Sequence, residues 1–227
     1  MTYNASSEET FEDKLIQLFN IDDTIYGLYA TYEDPISGKI DDTNREEIIQ
    51  TSLKVGRDLA DKVLEESPNK SVADRIEAHN IELVIEEDKE NTKFVYFGTY
   101  EHKGPITLFK GNISKSERLL KKEEVDWLSV DKVSDIVLAH ELFHFYEDEY
   151  PDLYTNTKEI NLWKLGPYQH KSKLICPSEI AAMSFTKQLL NLDFNPGAIN
   201  YLLYSSIDKK TGEAFFEKIT DLNKQVL

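Results

Sequence analysis

The residues best placed to do chemistry lie in the run Val137-Leu138-Ala139-His140-Glu141-Leu142-Phe143-His144, whose last five positions read HExxH. On an α-helix, positions four apart share a face, one turn above the other. His140 and His144 can therefore each offer a neutral imidazole nitrogen to one cation, at about 2.0–2.1 Å for zinc. Glu141 is rotated away by roughly a hundred degrees, too far to join them as a ligand without strain. It remains close enough to accept a proton from a water beside the ion.

The surrounding residues favour a metal over a chance pair of histidines. Val133, Ile136, Val137, Leu138, Leu142, Phe143, Phe145 and Tyr146 cover nearly the whole circumference of this helix, and a helix that is apolar all round is buried. Two imidazoles and a carboxylate buried without a partner would be strongly destabilising. A shared cation removes that difficulty.

A hydrolytic zinc site has three protein ligands and one open position. No third histidine follows in the HExxHxxGxxH pattern, so that arrangement is excluded. Glu179 is the leading candidate. Pro177 suits the first turn of a helix, and Ser178 to Leu190 continues with helical periodicity. Ala182, one turn beyond Glu179, is small enough to let that helix approach the HExxH helix closely. Glu147 lies on the metal face beyond His144 and is the second candidate, with a role behind the ligands favoured over ligation. Cys176 offers a thiolate, though an inert buried thiol is favoured. His170, Tyr150, Tyr154 and Tyr168 are candidate hydrogen-bond donors to a developing oxyanion.

HELFH followed by Glu179-x-x-Ala182-x-x-Phe185 and Leu189-Leu190 resembles the ImmA/IrrE family of metallopeptidases, over roughly residues 45–192. The strand expected at Ile106–Phe109, ahead of the HExxH helix, also resembles that family's layout. One departure is Phe143, where the family usually carries glycine. Another is an inserted loop, Trp163 to His170, before Glu179. The resemblance implies a zincin-like α+β domain, a Zn2+ cofactor and cleavage of basic helix-turn-helix repressors.

The elements that would position these groups can be read along the chain. Residues 1–42 are expected to form an N-terminal helical appendage, with a helix from Glu8 to Phe19 and an aromatic ridge of Tyr26, Tyr29 and Tyr32 packing onto the main domain. Residues 43–227 are expected to form the metallopeptidase domain. Its first helix starts at a Thr43-Asn44-Arg45-Glu46 capping box and is closed by Pro68. A shorter helix runs from Ser71 to His79, with Asn80 as a left-handed stop. Three strands follow, at 81–86, 93–100 and 105–109, the last two joined by a turn at Glu101-His102-Lys103-Gly104. His102 in that turn is expected to be exposed, and His79 to end its helix without a chemical role. A surface helix with a Ser114/Glu117 capping box runs to Glu124, and the HExxH helix begins near Ser129 or Asp131. Two further helices, near 198–206 and 212–222, complete the chain. A helix, a small antiparallel sheet and a buried HExxH helix make an α+β fold that is helical elsewhere. The free edge of the Ile106–Phe109 strand is expected to pair with an extended substrate.

Composition sets further limits. The 227 residues carry a net charge of −16. That surface repels nucleic acid and anionic lipid and attracts basic polypeptides. No apolar run reaches the roughly 20 residues needed to cross a bilayer. The start has neither a basic nor an apolar signal region. A single cysteine excludes an internal disulfide framework. The expected protein is a cytoplasmic zinc endopeptidase. The alternative is a catalytically silent module that keeps the fold and binds or sequesters a partner.

Overall fold

The computed structural model describes residues 9–87, 95–165 and 168–226. The chain opens with α1 (Phe11–Phe19) and α2 (Asp23–Glu33). Thr10 and Asp13 form a reciprocal capping box on α1, and the Asp22 carboxylate caps α2. Leu15, Leu18, Ile25 and Tyr26 belong to the same buried cluster as Ile106, Val133 and Leu142. Residues 9–42 are thus packed into the core that holds the HExxH helix. The three tyrosines of α2 diverge, because a spacing of three falls short of the 3.6-residue turn. Tyr26 is buried and donates to the Leu18 carbonyl at 2.8 Å, Tyr29 meets Phe215 edge-on, and the Tyr32 ring lies beneath the Arg45 guanidinium.

The long helix α3 spans Asp42–Glu66 and is capped by Asp41, whose carboxylate accepts from Asn44 N at 2.8 Å. It therefore begins ahead of the expected Thr43 box. Asp41 wins because its carboxylate also receives the Asn44 side-chain amide at 2.9 Å. In α4 (Val72–Ala78), Ser71 and Asp74 cap the start and His79 closes the end. Asn80 then takes the left-handed conformation at φ 55°.

Three short strands form one sheet: β1 (Leu83–Glu86), β2 (Gly98–Tyr100) and β3 (Ile106–Phe109), in the order β1-β3-β2. β3 pairs parallel with β1 and antiparallel with β2. The sheet is therefore mixed, which corrects the expected antiparallel one. Nor does Ile106–Phe109 have the free edge expected to pair with a substrate, because it is the central strand with all four residues buried. Among the described residues, the open edge beside the HExxH helix belongs to β2. Residues 93 and 94 of the expected second strand lie outside the described residues. The chain passes straight from Phe109 into α5 (Lys110–Lys122), which places Ser114 inside the helix and not at its cap.

The HExxH helix is α6 (Val130–Glu149), capped by Ser129, which accepts from Lys132 N at 3.2 Å. A single turn, α7 (Tyr154–Thr157), leads into an antiparallel hairpin of β4 (Glu159–Leu165) and β5 (Tyr168–Lys173). Of the segment expected as a loop from Trp163 to His170, residues 163–165 and 168–170 belong to these two paired strands, and 166–167 lie outside the described residues. The exposed, polar β5 lacks the apolar alternation that marks a half-buried strand.

The chain then forms α8 (Cys176–Leu189), α9 (Asn200–Ile207) and α10 (Lys209–Val226). Helix α8 crosses α3 so closely that a Cβ on Gly56 would stand 2.2 Å from the Ala181 carbonyl oxygen and 2.8 Å from Phe185 N. Ser184 fastens the crossing with a 2.7 Å hydrogen bond to the Leu53 carbonyl. The architecture is α+β, and among the described residues no helix is long and apolar enough to cross a membrane.

Candidate metal centre

Two helices bring the site together. Ala139 of α6 and Ala182 of α8 are both fully buried, and small residues at such a contact let helix axes approach. Phe185 packs against Phe143 and Tyr146 of α6, with ring centroids 5.7 and 5.8 Å apart. Phe143, where the resembled family usually has glycine, thus fills the interface between the two ligand-bearing helices. His79 steadies α6 from outside through a 2.9 Å hydrogen bond between its Nε2 and the Tyr146 hydroxyl.

Helix α8 has no side-chain cap from its own flanking residue. The buried Asp34 carboxylate supplies one, accepting from Ile175 N at 2.8 Å and Cys176 N at 3.0 Å. It satisfies amides that the helix itself cannot and places negative charge at the positive end of its dipole. The turn that begins at this cap carries Glu179.

The three expected ligands meet. His140 Nε2 and His144 Nε2 are 3.2 Å apart. Glu179 Oε2 lies 3.4 Å from His140 Nε2, and its Oε1 lies 3.9 Å from His144 Nε2. Among the described residues these are the one group of three His, Cys, Asp or Glu side chains whose ligand atoms all fall within 4.8 Å of one another. Two nitrogens bound tetrahedrally at about 2.0–2.1 Å would stand roughly 3.3–3.4 Å apart. The spacing fits one ion. Without a cation or proton between them, two neutral Nε2 lone pairs would face each other at contact distance.

The charges around the site also call for a cation. Burial disfavours a charged His140, but the Glu179, Glu141 and Glu147 carboxylates outweigh burial and raise its pKa. Burial by itself would raise the Glu179 carboxyl, yet its hydrogen bond to His140 and the charges of both histidines bring it down to about 2. His140 Nδ1 is buried and has no hydrogen-bond partner among the described residues, so the ring's polar interactions rest on Nε2.

Glu147 stands behind His144, as expected for a group outside the ligand set. Its Oε2 is 3.4 Å from His144 Nδ1 and accepts the Ser178 hydroxyl at 2.7 Å. A carboxylate there holds the proton on Nδ1 and frees Nε2 for a metal. Ser178, next to Glu179, was not singled out from the sequence. Cys176 is buried away from the ligands, and burial together with nearby Asp34 pushes its thiol up to about 12.

Glu141 faces a cleft of about 330 Å³ together with Val137, His140 and Glu179. β2 closes against it: a Cβ on Gly98 would stand 2.6 Å from Val137 Cγ1 and 3.0 Å from Glu141 Cγ. The expected oxyanion donors are placed elsewhere. Tyr150 accepts from Lys62, Tyr154 donates to Glu47, His170 stacks on Trp163, and Tyr168 is 73% exposed. The cleft is instead lined by Asn200 and Tyr204, one turn apart on α9, a helix in which the sequence reading found no chemistry.

The chain matches no protein-family model, no curated protein and no solved structure. The chemistry must therefore be read from the residues. They form a site fit for one divalent ion, with the Glu141 carboxylate on the next face of the same helix and a sheet edge alongside.

Proposed function

We propose that this chain is a zinc-dependent endopeptidase of zincin-like fold, of the kind its resemblance to the ImmA/IrrE family implies. The observation that carries the reading is the convergence of His140, His144 and Glu179 beside Glu141, at the open edge of β2. His140, His144 and Glu179 would hold the ion, and Glu147 with Ser178 would fix the orientation of His144. Bound there, the ion would supply Lewis acidity, polarising the scissile carbonyl and acidifying the attacking water. Glu141 takes the proton from that water and returns it to the leaving nitrogen. Tyr204 and Asn200 border the same cleft and would donate to the carbonyl oxygen as negative charge develops.

The open edge of β2 gives the substrate its place. Phe97 and Glu101 use their backbone groups toward β3, through Phe109 N to Phe97 O and Glu101 N to Pro105 O. In an antiparallel ladder the alternate residues, Gly98 and Tyr100, then turn their N–H and C=O groups outward. An extended peptide pairing there lies beside Glu141 and is held by its backbone, whatever its side chains. The net charge of −16 favours a basic substrate, in keeping with a basic helix-turn-helix repressor cut in the cytoplasm.

The test combines metal analysis with chelator-sensitive cleavage of a basic, unfolded polypeptide. Wild type and Glu141→Gln should carry about one zinc per chain, while His140→Ala and Glu179→Ala should carry little. Glu141→Gln should lose about 10²–10⁴-fold in turnover. Equal metal in all four proteins would refute the site. A zinc-loaded wild type that binds its partner stoichiometrically without cutting it would refute the peptidase and leave a binding module.

A further inference from the structure

Behind Glu179 lies a second, deeper cavity of about 410 Å³. It adjoins the metal cleft, since Glu179, Met183, Asn200 and Tyr204 line both. Its inner wall comes from α2, α3, α8 and α10, through Tyr29, Ala30, Leu53, Ile180 and Phe215.

Acidic residues also border this cavity, but their carboxylates are engaged. Asp23 receives Lys187 Nζ at 2.9 Å and the Asn195 side-chain amide at 3.0 Å. Asp34 caps α8. Glu33 is paired with Lys218. Asn195 accepts from Gly197 N at 2.8 Å, and the Tyr26 hydroxyl is spent on the Leu18 carbonyl. Beyond Asn200 and Tyr204, on the side shared with the metal cleft, a charged guest would lose its hydration and gain little in return. An apolar guest loses nothing by entering.

We propose that this cavity is the specificity pocket of the same active site and takes one large apolar side chain, aromatic or leucine-like, adjoining the scissile bond. The inference rests on the peptidase reading for its role, though not for its binding chemistry. A peptide laid along β2 has its backbone at the metal cleft. A side chain directed past Glu179 and Met183 enters the deeper space. Selectivity would then come from α2, in the N-terminal part of the chain, and not from the HExxH helix.

Met183 allows a test without turnover. The chain has two methionines, Met1 and Met183, so a methyl-labelled methionine spectrum of the full chain holds one reporter at the junction of the two cavities. N-acetyl-phenylalaninamide should shift the Met183 signal saturably, whereas N-acetyl-lysinamide and N-acetyl-aspartamide should not. Ala30→Phe, and the milder Ala30→Leu, should weaken the phenylalanine response about tenfold or more while zinc content is retained. Equal responses to all three probes, or an undiminished response in a folded Ala30→Leu, would overturn the pocket. Cleavage of a mixed peptide library separates the two readings. Cutting with no apolar preference at any position near the bond, and no Met183 response, would refute the pocket and leave the peptidase. Selective phenylalanine binding without cleavage of any peptide would refute the peptidase and the pocket's assigned role, leaving only an apolar binding site.

Discussion

Gly98 touches Glu141 so closely that the strand and this carboxylate side chain share one space: a side-chain carbon on Gly98 would sit 3.0 Å from Glu141 Cγ and 3.3 Å from its Oε1. The absence of a side chain at Gly98 thus sets how near the open edge of β2 lies to the carboxylate. Gly98→Ala should displace Val137 and Glu141 by a few tenths of an ångström, and Gly98→Val by more. The expected result is a graded loss in kcat, tenfold or more for the valine, with zinc content unchanged. Turnover measured beside metal content decides it. Full activity in Gly98→Val would separate Glu141 from the chemistry.

Glu147→Gln removes the charge behind His144 but keeps the shape. Zinc affinity should fall about 10–100-fold, measured by competition with a chelating dye. Unchanged affinity would mean that Glu147 has no hold on the ligand.

Gly56→Ala places a carbon against the Ala181 carbonyl oxygen, where backbone meets backbone and no side chain can move aside. The two helices must part, which should destabilise the fold by about 1–3 kcal/mol and lower Tm. Because α8 bears Glu179, zinc binding should weaken as well. Calorimetry with and without zinc checks both.

Cys176 should resist thiol reagents in the native protein. Its thiol is raised from the ordinary value of 9.0 to about 12, chiefly by burial, then by Asp34. A raised folded pKa means that the neutral thiol is fully accommodated below pH 9. Stability is then lost as pH climbs from 9 toward 12 and the unfolded thiol ionises first. Labelling at pH 8 should be slow until denaturant is added; rapid native labelling would show the thiol to be accessible.

What could be read from the sequence was local. His140 and His144 are a turn apart on one helix, Ser129 caps that helix, and Ser71 caps α4, all through spacings of three or four residues. Glu179 was within reach because its own helix signals itself through Pro177. Strand order was not legible, since β1 reaches β3 across the intervening β2 and the pairing is not local. Nor was Asp34, whose amide partner Cys176 lies 142 residues away. Tyr204 gave no sign because its helix reads as ordinary core packing, and it gains a chemical neighbourhood only when α9 packs on α5 and α10 and lines the cleft beside Glu179.

That distant capping carboxylate has a consequence for how the site could be dismantled. A cut or deletion near residue 34 would leave the whole HExxH motif and every candidate metal donor in the polypeptide. It would nonetheless unfasten the first turn of the helix that delivers the third donor. A chain damaged there would still pass any inspection of its motif while failing to bring Glu179 to the two histidines.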